Sequence, residues 1–259
     1  MKIVHITDFH LPAPGEDLWG LDAHDRLDRC LTDIARWHGD AAFCVMTGDL
    51  TDKGDPAAYA WLRDRLDDFP LKTVLMIGNH DSRDAFLATF PAAARDDNGF
   101  VQDVLETEIG TCLFLDTVKG PVSEGQYCVQ RRAWLAAQLE RAQDQPVWIF
   151  MHHPPFEVGM PYMDRTKLEE PEKFADVLST HGNVRHLFFG HIHRTAMVNW
   201  RGIPCTSLPG LNHQVPLVSE SVGGSFSVEP PMYGIILIDG DSTIVHFDAC
   251  LDRTAVEMG

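Results

Sequence analysis

Five short blocks in this chain hold residues able to bind a divalent metal ion: Asp8-x-His10, Gly48-Asp49, Gly78-Asn79-His80-Asp81, His152-His153 and Gly190-His191-x-His193. Residues two apart in an extended segment face the same way, so Asp8 and His10 can reach one cation together. Asn79 offers a neutral amide oxygen, a hard ligand, and His80 offers a proton donor one residue further on. Carboxylate, amide oxygen and imidazole together suit Mn, Fe, Co or Zn without choosing among them. Each block alone also reads as a turn, a helix cap or a pair of surface histidines. What argues for chemistry is their shared setting, because every block directly follows an apolar run.

Those runs are the elements that must position the blocks. Lys2–Thr7, Ala42–Met46, Lys72–Ile77, Val147–Met151 and Leu187–Phe189 each read as a buried strand. Helices are expected from about Asp22 to His38, with Leu27, Leu31 and Ile34 on one stripe, and from Pro56 to Asp68, with Tyr59, Leu62 and Leu66 buried. A third helix is expected over Arg131–Ala142. Phe100–Ile109 and Thr111–Thr117 read as neighbouring strands turning at Gly110, and Tyr233–Ile238 and Thr243–Phe247 as two more. Alternating strands and helices are the pattern of a layered α/β fold, in which polar residues gather where strands end. No internal repeat or low-complexity linker interrupts the 259 residues, and a single domain over 1–259 is expected. Ser, Gly and Pro enrich the stretch around 214–232, which reads either as a surface loop or as a lid or oligomer contact beside the substrate.

Bulk composition narrows the partners. A formal net charge of −17 disfavours a nucleic-acid polymer or an anionic membrane, both of which call for basic surface. The acidity does not exclude a small anionic substrate, because bound cations dominate their own surroundings. The six cysteines are scattered with no Cys-x-x-Cys pair, so free thiols are expected. The start of the chain reads as a strand without signal-peptide features, and no apolar run is long enough to span a bilayer. The expectation is a cytoplasmic protein.

The five blocks, in this order over residues 8 to 193, resemble the calcineurin-like metallophosphoesterases. Within that family the chain looks most like bacterial class III cyclic-nucleotide phosphodiesterases and related glycerophosphodiesterases. Gly15-Glu16-Asp17-Leu18-Trp19-Gly20 and Leu208–Pro216 resemble segments of that subgroup. The resemblance implies a four-layer sandwich of two mixed β-sheets flanked by helices, with a dinuclear metal centre at strand carboxyl ends. Carried over by residue, Asp8, His10 and His193 match ligands of one metal, Asn79, His152 and His191 match ligands of the other, and Asp49 matches the bridge. His80 matches a residue that contacts phosphate or the leaving group. His153 matches no ligand and reads as a supporting residue. His213 is expected to contact substrate, since the ligand set is complete without it.

The implied reaction is hydrolysis of a small phosphodiester, such as a cyclic nucleotide or a glycerophosphodiester, by attack of a metal-bound hydroxide. Other readings on the same fold are a phosphomonoesterase, a protein phosphatase, a nuclease or a non-catalytic interaction scaffold. Protein phosphatases of this fold carry Gly-Asp-x-x-Asp-Arg-Gly, where this chain has Gly48-Asp49-Leu50-Thr51-Asp52-Lys53-Gly54. A nuclease calls for a basic groove, and a decayed scaffold would lack ligands that are all present here.

Overall fold

Short strands buried on both faces divide their side chains between two cores, and that division creates the layers. The computed structural model describes residues 1–217 and 224–251. Its first half contains β1 (Lys2–Ile6), α1 (Ala23–His38), β2 (Phe43–Thr47), α2 (Pro56–Asp67), β3 (Thr73–Met76), α3 (Arg83–Thr89), β4 (Asp103–Thr107) and β5 (Gly110–Leu115). The second half contains α4 (Val129–Ala142), β6 (Val147–Met151), α5 (Pro171–Leu178), β7 (Val184–Phe189), β8 (Ala196–Trp200), β9 (Ile203–Ser207), β10 (Met232–Asp239) and β11 (Ser242–Ala249).

One sheet has the order β11-β10-β1-β2-β3 and the other β4-β5-β6-β7-β9-β8. Within the first, β1, β2 and β3 are parallel, while β10 runs antiparallel to β1. Within the second, β5, β6, β7 and β9 are parallel, with β4 and β8 antiparallel at the edges. Both sheets are therefore mixed.

Period-two alternation explains how they pack. Ile3, Phe43, Val45, Phe114, Phe150 and Phe188 point between the sheets and form one core. Phe114, Phe150 and Phe188 stack in a row across three adjacent strands, at 5.2 and 4.8 Å between ring centroids. The alternate residues Val4, Ile6, Cys44 and Met46 point outward onto the stripe of α1 formed by Leu27, Leu31 and Ile34. On the far side, Leu113, Ile149, Met151 and Leu187 meet Leu135 and Leu139 of α4 and Phe174 of α5. The result is helix, sheet, sheet, helix. Asp22 caps α1 by accepting from Asp25 N at 2.9 Å, and Asp55 caps α2 ahead of Pro56 in the first turn.

The structure revises several boundaries. The strand expected from Phe100 begins at Asp103, because the Phe100 and Val101 amides donate to the Asp96 and Asp116 side chains instead of to a ladder. Helix α4 begins two residues early, at Val129, and Leu66 of α2 is only half-buried. Helices α3 and α5 and strands β8 and β9 are additional. All six cysteines are free. No helix among the described residues is long and apolar enough to cross a membrane. Of the 214–232 stretch, 218–223 lie outside the described residues; its base is closed by a two-way backbone bridge between Gln214 and Ser227.

Candidate dinuclear metal centre

Parallel strands align their carboxyl ends, so whatever follows β1, β2, β3, β6, β7 and β9 is delivered to one edge of the sandwich. Asp8 and His10 follow β1, Asp49 follows β2, Asn79 and His80 follow β3, His152 and His153 follow β6, His191 and His193 follow β7, and His213 comes six residues after Ser207, the last residue of β9. The two sheets are joined here: the His152 Nδ1–H donates to the Thr47 carbonyl at the end of β2, 2.8 Å away.

Close approach of the exits requires glycine at three points. A Cβ on Gly78 would lie 2.2 Å from Asp49 Oδ1, one on Gly190 would lie 2.2 Å from Thr7 Oγ1, and one on Gly48 would lie 2.6 Å from the Gly78 nitrogen. Asp8, His10, Asp49, His191 and His193 all have positive φ, between 45° and 70°. This conformation is unfavourable for residues other than glycine, and its clustering here marks a functional edge.

The donor atoms converge. Nε2 of His193 is 3.4 Å from Asp8 Oδ1 and 3.1 Å from Nε2 of His10. Asp49 Oδ2 lies 3.5 Å from His10 Nε2 and 3.4 Å from His152 Nε2, between the two donor sets. Asn79 Oδ1 is 3.2 Å from His152 Nε2. Thr166 Oγ1 holds His191 Nε2 at 2.8 Å, which leaves Nδ1 of that ring available. The His213 carbonyl accepts from His193 Nδ1–H at 2.9 Å, fixing the tautomer that leaves Nε2 as a lone pair.

These contacts fit bound cations. With Nδ1–H given to Thr47, His152 Nε2 is a lone pair facing the Asn79 amide oxygen, an acceptor against an acceptor that a proton or a cation must bridge. His10 Nδ1 is buried without a hydrogen-bond partner. Ligand atoms of Asp8, His10, Asp49 and His193 all lie within 4.8 Å of one another, and those of His152, His153 and His191 form a second such group.

The electrostatics agree. Burial pushes the imidazoles of His10 and His191 well below their usual pKa, so both are neutral donors. Burial also opposes a charge on His152, but the Asp49 carboxylate outweighs it and raises that pKa to about 9. Burial raises the Asp8 carboxyl, while the Asp49 carboxyl is held well below the ordinary range because neighbouring histidines, His152 foremost, overcome its burial. A cluster that pulls a proton onto a buried histidine is one that calls for positive charge.

The remaining expected residues are close by. His80 donates its backbone N–H to Asp49 Oδ1 at 2.9 Å, and its Nδ1–H to the Asp52 carbonyl at 2.8 Å. His153 is fully buried, with Nδ1 2.7 Å from Thr117 Oγ1 and its ring 4.6 Å from that of His191. His213 packs its ring 4.3 Å from His193 and 5.0 Å from His10, and distance alone would let it join that donor group.

Two supporting residues were not foreseen as such. Asp81, within the third block, accepts from Leu50 N, Thr51 N, Thr51 Oγ1, Tyr59 Oη and Gly78 N, and so ties the exit of β2 to that of β3. Thr166, which orients His191, lies in an irregular stretch that no local pattern distinguishes. The Asp81 signal was its block; its partners are visible only in three dimensions.

Comparison with known proteins identifies the family. A probable cyclic nucleotide phosphodiesterase of Rhodopseudomonas palustris is 41% identical over 252 residues, covering 95% of this chain and 91% of that protein. A probable glycerophosphodiester phosphodiesterase of Arcobacter nitrofigilis is 28% identical, covering 89% and 86%. Among solved structures, a dimetal phosphatase from Danio rerio superposes with a TM-score of 0.73 at 16% identity over 97% of each chain, a likeness of fold. Residues 1–195 match the family described as calcineurin-like phosphoesterase, and the chain belongs to that family.

Proposed function

We propose that this protein is a dinuclear-metal phosphodiesterase acting on small phosphodiesters, cyclic nucleotides or glycerophosphodiesters. The observation that carries this reading is the position of the Asp49 carboxylate, with one oxygen within 3.5 Å of both His10 and His152. It makes one continuous cage of two donor sets. In this assignment Asp8, His10 and His193 would hold one ion, Asn79, His152 and His191 would hold the other, and Asp49 would serve both. Mn, Fe, Zn and Co all suit such oxygen and nitrogen donors. When bound, the two ions supply Lewis acidity at a phosphoryl oxygen and make water a usable nucleophile at neutral pH.

The chain's own part is positioning and proton delivery. The Asp49 carboxylate offsets the repulsion between the ions. His80, with Nδ1–H engaged by Asp52, keeps Nε2 for the substrate. In the metal-free chain burial disfavours its charged form, but Asp49 and the Asp52 carbonyl outweigh that effect and raise its pKa. An imidazolium there can give its proton to a departing alkoxide. Cysteine content supports a cytoplasmic setting, since none of the six thiols is in a disulfide.

The test is to load metal-free protein with Mn, count bound ions by elemental analysis, and assay cyclic AMP, a glycerophosphodiester, bis-nitrophenyl phosphate and a phosphomonoester. Two ions per chain and faster turnover of diesters are expected. A fully loaded protein that prefers the monoester, or cleaves nothing, overturns the reading.

A further inference from the structure

Trp19 occupies a costly position. Leu18 and Leu21 exchange two backbone hydrogen bonds, each 3.0 Å, so Trp19 and Gly20 are the two central residues of a tight hairpin turn. Both have positive φ, 54° and 77°. Turns with this pattern favour Asn-Gly, because a bulky side chain at the first position crowds its own backbone. A tryptophan held there, with half its surface exposed (51%), gains neither turn stability nor core burial.

Its surroundings supply the reason. The Trp19 ring stacks on Phe226 at 4.5 Å and 16°, and meets the His213 ring edge to face at 4.4 Å. Trp19, Phe226 and Tyr162 all line the cavity of about 310 Å³ that opens onto His10, Asp49 and His80. Among the described residues four aromatic side chains are exposed, and three are these. The fourth, Trp37, lies on α1. Exposed rings gathered at the mouth of a charged site, one of them at the expense of backbone strain, mark a surface shaped for a ligand.

We propose that Trp19, Phe226 and Tyr162 form a stacking surface for a planar heteroaromatic group attached to the scissile phosphodiester, which selects nucleotide diesters over glycerol diesters. This rests on the phosphodiesterase reading above and narrows it. A nucleobase offers a flat polarisable face that any of these rings can cover, and base–aromatic stacking of this kind is favourable for every base. A glycerol group has no such face. The cavity lies at the small end of the range for ligand sites, about 300–1,000 Å³.

Trp19→Asn is the decisive variant, because asparagine suits the turn and the fold is retained or stabilised. In wild type, AMP should bind about tenfold more tightly than glycerol 3-phosphate by calorimetry. That ratio should collapse in Trp19→Asn and survive in Trp19→Phe. With Mn bound, the ratio of kcat/KM for cyclic AMP to that for glycerophosphoethanolamine should fall about tenfold in Trp19→Asn, mainly through KM. Equal affinity for AMP and glycerol 3-phosphate in wild type, or an unchanged ratio in Trp19→Asn, overturns the stacking surface while leaving diester hydrolysis in place. Hydrolysis of neither diester, with the AMP preference intact, overturns the phosphodiesterase reading and leaves the stacking surface standing.

Discussion

Asp49 is the residue on which both donor sets depend, since its Oδ2 is shared between His10 and His152. Asp49→Asn removes the shared negative charge and should reduce bound metal below two ions per chain and abolish turnover. Full double occupancy by elemental analysis would remove the bridging role. Asn79→Ala, by contrast, should empty mainly the site of His152 and His191 and leave one ion bound. His213 presents a sharper choice, because its ring lies beside His10 and His193 yet the donor set is complete without it. If it serves substrate, His213→Ala raises KM at unchanged metal content; a lost ion would make it a ligand. For His80, the choice lies between an acid that protonates the leaving group and a hydrogen-bond donor to the phosphate oxygens. An alkoxide leaving group needs a proton and a nitrophenolate does not. His80→Ala should therefore slow an alkyl diester far more than bis-nitrophenyl phosphate, by roughly 10²–10⁴-fold if the full acid effect is lost. Equal losses for both esters would assign His80 to holding phosphate oxygens.

At the scale of elements, precision at the site comes from loops locked to one another, and Asp81 is the lock between the exits of β2 and β3. Its two oxygens accept five hydrogen bonds, four from residues 50, 51 and 78 and one from Tyr59. Asp81→Asn replaces an acceptor by an amide donor facing donors, and should cost about 2 kcal/mol or more in urea unfolding of the metal-free protein. It should also weaken metal binding at Asn79, which a purely local packing loss would spare. This lock illustrates what was legible beforehand. The five blocks and the strands ahead of them could be read because buried parallel strands are continuous apolar runs, and their exits are marked by glycine. The turns that make His191 orient to Thr166, or Asp116 accept from Val101, involve partners 25 and 15 residues apart in sequence and leave no local trace. Helices α3 and α5, of seven and eight residues, are too short for a helical period to stand out. Strand β8 alternates half-buried and exposed residues, and β9 carries Pro204, Thr206 and Ser207 among its five, so no apolar run marks either.

The whole molecule closes its sandwich over two histidines with no catalytic duty assigned, His5 on β1 and His186 on β7. His5 sits edge-on to Phe150 and Phe188, and bonds Thr47 Oγ1; His186 stacks on Phe188 at 4.3 Å and bonds Thr206 Oγ1. Burial lowers their pKa values to about 3 and about 4, with no opposing charge to restore them. An unfolded chain titrates these groups near 6.5. Between that value and about pH 4 the unfolded state therefore binds more protons than the fold, and stability must drop as the pH falls through this window. For His186 the difference is roughly 3 kcal/mol when complete. The inter-sheet core thus carries an acid liability separate from release of the metals. In chelator-treated protein, where metal release plays no part, the urea midpoint of wild type should fall steeply from pH 7 to pH 5, with buried His10 and His191 adding to the same slope. His186→Gln retains a polar group for Thr206 without the titration, and its midpoint should fall less over the same range. Parallel decline in the two proteins would show that His186 is not among the groups that set the acid limit of the fold.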